Sequence, residues 1–369
     1  MSEYSSAMLK AIELAKRGTG YVSPNPRVGA VILDKNGKIV GEGWHKIFGG
    51  NHAEVEAINS TKLKSFQEHT LVVTLEPCTI FGKTPPCADL IIEKKFSRVV
   101  IGTLDQNPEI SGKGVQKLRD AGIEVITGVH ESECLELNKA FFKFITQKKP
   151  YVTLKIAQTI DGNIAQKNGQ SKWITSEESR FAVQVLRSEA DAILVGKNTV
   201  LMDNPFLTVR ELDLPTPKKV ILDSDLTLPL DLNIFKNGDR SNTIIFCNQK
   251  AIHNRKAKTL SLAGIKIESL ENEGGYLDIH EVVNVLSNKY NVTSLLVEGG
   301  SQTYSSFIKS KLVDEIHFFI APIIIGGGLQ SFGHLSFLTI AKTPKLEIIK
   351  SETIGSDLHL IAKISYRDN

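Results

Sequence analysis

The chain has 369 residues, 41% hydrophobic and 23% charged, and its 44 Lys and Arg against 41 Asp and Glu leave a formal net charge of +3. Near-neutrality excludes a general electrostatic attraction to nucleic acid or to an anionic membrane, and the four cysteines Cys78, Cys87, Cys134 and Cys247 are too few for a disulfide scaffold, which suits a reducing, cytoplasmic setting. At roughly 100–200 residues per domain the length predicts two domains, each able to bury a core unaided, so a bound metal is expected to serve chemistry rather than folding.

In chain order, residues 6–17 read as an amphipathic helix that stops at Gly18, without the apolar block of a signal peptide. Residues 28–34 and 38–42 read as strands joined across Asn36-Gly37, the strongest short hairpin signal. A helix over 52–60 follows, with Asn51 as its N-cap and Glu54 three residues on. Strand 70–75, helix 87–95, strand 98–102, helix 114–121 and strand 123–126 complete an α/β layer arrangement. The polar stretch 146–150, ending in proline, predicts a boundary and hence domains 1–147 and 150–369. Beyond it, strands 151–157, 192–196, 220–223, 243–247, 294–297 and 315–321 alternate with helices 177–188, 280–289 and 302–310, the spacing of βαβ units and a mainly parallel sheet. The most apolar run, 318–325, contains Pro322 and falls far short of the roughly 20 residues that span a bilayer.

His52-Ala53-Glu54, Glu76-Pro77-Cys78 and Pro85-Pro86-Cys87 supply an imidazole and two thiols near the ends of predicted elements. Three such ligands suit tetrahedral zinc with the fourth position left to water, the arrangement of a catalytic site. Zinc lowers the pKa of bound water, and a carboxylate two residues from the ligating histidine can take a proton and pass it to a leaving group; Glu54 has that place. His-x-Glu alone occurs often by chance. Joined to Pro-Cys downstream of a strand, it matches the signature of zinc-dependent base deaminases. Eight residues separate Cys78 from Cys87 where the usual form has two, which predicts a substrate-binding insertion.

The second half has no metal cluster, obvious nucleophile or G-x-G-x-x-G. Hydride transfer from a nicotinamide accounts for that, because the protein then mainly positions two ligands. Glu298-Gly299-Gly300-Ser301-Gln302-Thr303 ends a strand, permits close backbone approach and opens a helix whose N–H groups suit a phosphate. Gly326-Gly327-Gly328 is a second, flexible approach point.

Together these motifs resemble the bifunctional deaminase-reductase family of riboflavin biosynthesis, over essentially the whole chain. The match runs through Pro24-Asn25-Pro26-x-Val28-Gly29, Gly41-x-Gly43-x-His45, His52-Ala53-Glu54, Thr74-Leu75-Glu76-Pro77-Cys78, Gly82-Lys83-Thr84-Pro85-Pro86-Cys87 and Asp105-x-Asn107-Pro108. It continues through Ser171-x-Trp173-Ile174-Thr175, Asp203-Asn204-Pro205-x-Leu207-Thr208-Val209-Arg210, Asp223-Ser224 and Val297-Glu298-Gly299-Gly300. The resemblance implies an α/β fold, with a cytidine-deaminase-like zinc domain followed by a dihydrofolate-reductase-like domain. It implies zinc-dependent deamination of a diaminopyrimidinone ribosyl phosphate, NADPH-dependent reduction of its ribosyl group to ribityl, and a homodimer.

By resemblance, Asn25, His45, Lys83, Asp105 and Asn107 line the base and ribosyl-phosphate site. Ala157, Trp173, Thr199, Asp203, Ser224, Gly300, Ser301, Gln302, Thr303, Tyr304, Ser305 and Ser306 contact the dinucleotide, and Ser171, Arg187, Leu207, Arg210 and Glu298 hold the substrate. The two arginines are expected to grip phosphate oxygens in pairs. Two positions depart from the family pattern. Ile80 stands where many members have a histidine, which shifts phosphate contact onto Lys83, and Thr227 stands where an arginine would meet the extra phosphate of NADP. A nucleic-acid or nucleoside deaminase with an accessory domain is the alternative, disfavoured by the cysteine spacing and the lack of a basic, aromatic-rich stripe. A binding module built on structural zinc would need a fourth protein ligand, and Cys134 and Cys247 have no ligand-like neighbours.

Overall fold

The computed structural model describes residues 3–108, 110–236, 240–271 and 276–366, and the chain divides into two units, Met1–Lys148 and Lys149–Asn369. In the first unit the elements are Ser5–Lys16 (α1), Gly29–Leu33 (β1), Ile39–Trp44 (β2), Ala53–Asn59 (α2), Thr70–Leu75 (β3), Cys87–Glu93 (α3), Arg98–Thr103 (β4), Lys113–Asp120 (α4), Glu124–Thr127 (β5), Glu131–Leu137 (α5) and Lys139–Gln147 (α6). Its five strands are ordered β2-β1-β3-β4-β5, antiparallel around β1 and parallel from β3 to β5.

Strands β1 and β3 are buried at every position, which is why they read as continuous apolar runs rather than alternating ones. The alternation reappears in which core each side chain joins. Ala30, Ile32, Leu71 and Val73 pack with Ala57, Ile58, Ile91 and Leu118 from α2, α3 and α4, whereas Val31, Leu33 and Val72 pack with Met8 and Ala11 from α1 and with Cys134. Each fully buried leucine or isoleucine contributes about 1.5–3 kcal/mol. Gly43 on β2 sets how closely α2 lies against the hairpin: a Cβ there would stand 2.2 Å from the Ala57 amide nitrogen and 2.5 Å from the Ala53 carbonyl oxygen.

The start of α2 differs from expectation. Its N-cap is His52, with extended backbone at φ −73° and ψ 163°, and not Asn51. The Asn51 amide donates instead to Glu56 Oε1 at 3.0 Å, and the Asn51 carbonyl accepts from the His45 ring.

In the second unit the elements are Tyr151–Thr159 (β6), Asn163–Ala165 (β7), Glu177–Glu189 (α7), Ala192–Gly196 (β8), Lys197–Asp203 (α8), Lys218–Leu222 (β9), Thr243–Asn248 (β10), Arg255–Leu262 (α9), Lys266–Leu270 (β11), Ile279–Tyr290 (α10), Ser294–Val297 (β12), Ser301–Lys309 (α11), Glu315–Ala321 (β13), Leu329–Gln330 (β14), Lys345–Ile354 (β15) and Asp357–Ser365 (β16). Nine strands form one sheet in the order β11-β10-β9-β8-β12-β6-β13-β16-β15, and β7 pairs with β14. From β11 to β13 all pairings are parallel, as the βαβ spacing predicts. The hairpin β15–β16 is antiparallel and unforeseen, and it turns at Gly355, where φ is +57°.

Leu194, Val220, Ile244 and Phe246 join one core while Ile193, Val195, Ile221, Ile245 and Cys247 join the other, so the sheet is covered on both faces. Helices α7, α9 and α10 are capped by Ser176, Asn254 and Asp278, whose side chains accept from Ser179, Ala257 and His280 amides. Because β8, β12 and β6 are adjacent and parallel, their carboxyl ends open on one side, where ligands of such sheets bind. Among the described residues no helix is long and apolar enough to cross a membrane.

Candidate active sites

In the first unit the sheet and two helix starts bring His52, Cys78 and Cys87 together, their ligand atoms all within 4.8 Å of one another. His52 Nδ1 lies 3.3 Å from Cys87 Sγ and 3.5 Å from Cys78 Sγ. A tetrahedral zinc with bonds of about 2.1 Å to nitrogen and 2.3 Å to sulfur sets such atoms about 3.6 Å apart, so the triad fits the ion. His52 Nε2 faces Thr84 Oγ1 at 3.2 Å, which turns Nδ1 toward the thiols. Thr84 was only part of a motif string in the sequence, yet it orients a ligand. The Cys87 N–H donates to Cys78 Sγ at 3.4 Å, and the Cys78 thiol is drawn down to about 4, first by its hydrogen bond with Cys87.

Glu54 sits in the first turn of α2, only 3% exposed, beside this triad. Burial pushes its carboxyl up to about 7 against the opposing pull of His52. His45 Nδ1 lies 2.8 Å from the Asn51 carbonyl, which can only accept, so that nitrogen carries the proton and Nε2 accepts from Asn25 Nδ2 at 3.1 Å. Burial holds the His45 pKa below its ordinary value, in keeping with a neutral ring, and its edge meets the His52 ring at 5.5 Å.

Lys83 places its ammonium 3.9 Å from the centre of the Phe48 ring, on a loop that leaves Ile80 and Phe81 exposed. Asp105 is buried and accepts the Asn107 N–H at 2.8 Å; burial raises its pKa and that hydrogen bond opposes the rise. Cys134 and Cys247 are buried, and burial pushes their thiols up to about 12 and 11. They are packing residues.

The second unit holds a cleft of about 1200 Å³ at the carboxyl ends of the central strands. Ala157, Ser171, Trp173, Arg187, Thr199 and Asp203 line it, as do Leu207, Arg210, Ser224, Glu298, Gly300 to Thr303, Tyr304 and Ser306. Ser305 is not among the lining residues: it is 1% exposed and shares a helix face with the core residue Ile308. Gly300 has φ +70°, and a Cβ on Gly299 would stand 3.0 Å from Val195 Cα, so the turn after β12 needs both glycines to lie against β8.

Glu298 is the electrostatic centre of the cleft. Arg187 grips it in a fork, Nε to Oε1 at 2.5 Å and Nη2 to Oε2 at 2.9 Å, and Lys155 Nζ adds a contact at 3.2 Å. Burial alone would raise the Glu298 pKa; Arg187 and then Lys155 overcome it and hold the carboxyl at about 2. The third guanidinium nitrogen of Arg187 donates to the Thr208 carbonyl. Its fork is thus taken up by Glu298 and Thr208, and Arg210 is the exposed arginine of the expected pair. Lys155 was missed as a site residue, although a lysine within the apolar strand Tyr151–Thr159 is itself a signal.

Elsewhere in the cleft Ser171 Oγ donates to Asp203 Oδ1 at 2.7 Å, and the Arg180 guanidinium lies 4.6 Å over the ring of Trp173, which is 69% exposed rather than a core ring. Thr227 donates to Asp223 at 3.3 Å, and Lys197 Nζ lies 3.8 Å from both Asp223 and Asp225. Asp161 ties the rim: its carboxylate accepts from Thr159 Oγ1, Asn163 Nδ2 and the amides of Ile325 and Gly326. The glycine run is thus anchored at its first member.

Both units resemble known proteins. A family model described as the RibD C-terminal domain matches residues 150–360, and the cytidine and deoxycytidylate deaminase zinc-binding region matches residues 1–103. The riboflavin biosynthesis protein RibD of Aquifex aeolicus is 46% identical over 96% of this chain and 97% of its own, and that of Bacillus amyloliquefaciens is 43% identical over 98% and 96%. Among solved structures, a diaminohydroxyphosphoribosylaminopyrimidine deaminase / 5-amino-6-(5-phosphoribosylamino)uracil reductase from Thermotoga maritima is 40% identical, covers 98% of each chain and superposes with a TM-score of 0.86. With a zinc-binding deaminase domain ahead of a reductase domain, and relatives alike from end to end, the chain belongs to the RibD family of bifunctional deaminase-reductases in riboflavin biosynthesis.

Proposed function

We propose that the first unit deaminates a diaminopyrimidinone ribosyl phosphate at a zinc held by His52, Cys78 and Cys87, and that the second reduces the ribosyl group of the product with NADPH. The observation that carries this reading is the donor triad, three protein ligands spaced for tetrahedral zinc with a buried carboxylate beside them. Zinc supplies the Lewis acid that makes water a nucleophile near neutral pH, and NADPH supplies a hydride.

The chain's own residues do the rest. Glu54 takes a proton from the attacking water and returns one to the departing amine. Thr84 fixes the His52 ring, while the neutral His45, tied to Asn25, lines the base pocket with Asp105 and Asn107. Lys83 offers a local cation for the ribosyl phosphate. In the cleft, backbone N–H groups at the start of α11 suit a dinucleotide phosphate, with Ala157, Trp173, Thr199, Asp203 and Ser224 along the same ligand. Arg210 meets the substrate phosphate, and Lys155 and Arg187 hold Glu298 in one orientation beside Ser171 and Leu207.

Supplying the diamino substrate with NADPH is expected to release ammonia and oxidise nucleotide in equal amounts, and Lys197, on the cleft wall near Ser224, is expected to favour NADPH over NADH despite Thr227. Activity in neither channel would sink the assignment. A homodimer is proposed on the exposed edge strand β15, where Leu346 and Ile348 are 46% and 62% exposed, a few residues after Leu338 at 92% and Ile340 at 87% in the chain. Sedimentation at twice the chain mass, reduced to the chain mass by Ile348→Glu, is the expected result; a monomeric parent protein overturns the dimer.

A further inference from the structure

Asp105 and Asn107 lie between β4 and α4, where the described residues form neither strand nor helix, yet Asp105 is 5% exposed. One side chain holds that segment. Glu76, 3% exposed at the end of β3, accepts the backbone N–H groups of Asp105 at 3.1 Å and Gly112 at 3.0 Å on Oε2, and those of Gly114 at 2.8 Å and Val115 at 3.2 Å on Oε1. Its own N–H donates to the Thr103 carbonyl at 3.0 Å. Gly114 makes room for the arrangement, since a Cβ there would stand 2.3 Å from the Pro77 carbonyl oxygen.

A carboxylate that accepts four amides has both oxygens in use and nothing left for a ligand. Its partners are the residue that faces the base on one side and the amino end of α4 on the other. Glu76 also directly precedes Pro77-Cys78, so the same strand end delivers a zinc ligand and fixes the segment that carries Asp105.

We propose that Glu76 is a positioning residue for deamination: it sets the distance between the metal site and the Asp105 carboxyl, and through it the placement of the aminopyrimidine base. The inference rests on Asp105 as a base contact. In Glu76→Gln one oxygen becomes an NH₂ group that faces two N–H donors, so at most two of the four amides stay satisfied.

Steady-state kinetics of the zinc-loaded enzyme on the diaminopyrimidinone ribosyl phosphate test it. In Glu76→Gln, KM is expected to rise about 10-fold to 100-fold with a much smaller change in kcat. Zinc content per chain is expected to stay at the parent value, because the Glu76 carboxylate bonds to those four amides and not to His52, Cys78 or Cys87, and reduction of already deaminated substrate, which belongs to the second unit, is expected to be unchanged. In an Asp105→Ala background the same change should add little, because the group being positioned is gone. Effects of the two substitutions that simply multiply, or a Glu76→Gln enzyme with parental KM beside an Asp105→Ala enzyme with raised KM, overturn the positioning role. Parental KM in Asp105→Ala instead removes the base-contact reading underneath and the inference with it. Should Glu76→Gln fail to fold, Glu76→Asp keeps both acceptor oxygens on a stem one methylene shorter, and the same split between KM and kcat is expected.

Discussion

Glu54→Gln is expected to stop ammonia release while zinc stays bound and reduction of already deaminated substrate continues at the parental rate. Glutamine fills the same space, so His52, Cys78 and Cys87 keep their spacing, and zinc content is the check on that. What is lost is a group that can both take and give a proton. General acid–base catalysis by one positioned side chain contributes about 10²–10⁴ in rate, so the loss should lie in that range and appear in kcat. Burial matters to the argument: at 3% exposure no bulk water stands ready to replace the carboxyl as proton carrier. Deamination in Glu54→Gln within about ten-fold of the parent, well short of that range, would remove Glu54 from the role.

Glu298→Gln is expected to damage the second unit in two ways. The amide leaves the guanidinium of Arg187 and the ammonium of Lys155 in a buried pocket without their counter-charge. Breaking a buried pair by removing one partner destabilises by about 3–5 kcal/mol, which thermal unfolding followed in the second unit would register. Reduction should fall with it, because both cations lose the group that orients them, while ammonia release persists.

The pH dependence has a definite sign. The Glu298 carboxyl is held at about 2 in the fold, below its ordinary 4.5, so the stability it lends is complete above about 4.5 and disappears as pH falls through about 2. The parent's second unit should lose stability across that window, and Glu298→Gln should lose much less. Equal losses in both proteins would assign acid sensitivity to other groups.

The zinc triad was legible in the sequence because a metal dictates residue types, and strand and helix ends dictate where those residues stand. Legibility ended where the outcome turned on boundaries and contacts that the local sequence does not display. Asn51 looked like a cap because asparagine before a helix usually is one, but the helix starts one residue later and His52, with extended backbone, is its N-cap. Strand β15 left no trace because periodicity reports burial, and most of its residues face out along an edge. The fork between Arg187 and Glu298 joins residues 111 positions apart. Nothing local announces such a pair, and an arginine in a phosphate-binding half was naturally read as a phosphate ligand. Glu76 was in plain view inside a motif, but its function lies in four amides that no side-chain pattern displays.

The tie made by Asp161 changes what the triple glycine means. Glycines at a cleft mouth suggest a segment that orders itself only when a ligand arrives, and that ordering would subtract from affinity. With the amides of Ile325 and Gly326 already bonded to one carboxylate, and Thr159 and Asn163 bonded to the same group, much of that entropy is lost when the chain folds. A ligand entering the cleft beside Gly328 would therefore meet a segment that is largely set beforehand, and a looser Asp161 variant would register as weaker ligand retention with the walls of the cleft unchanged.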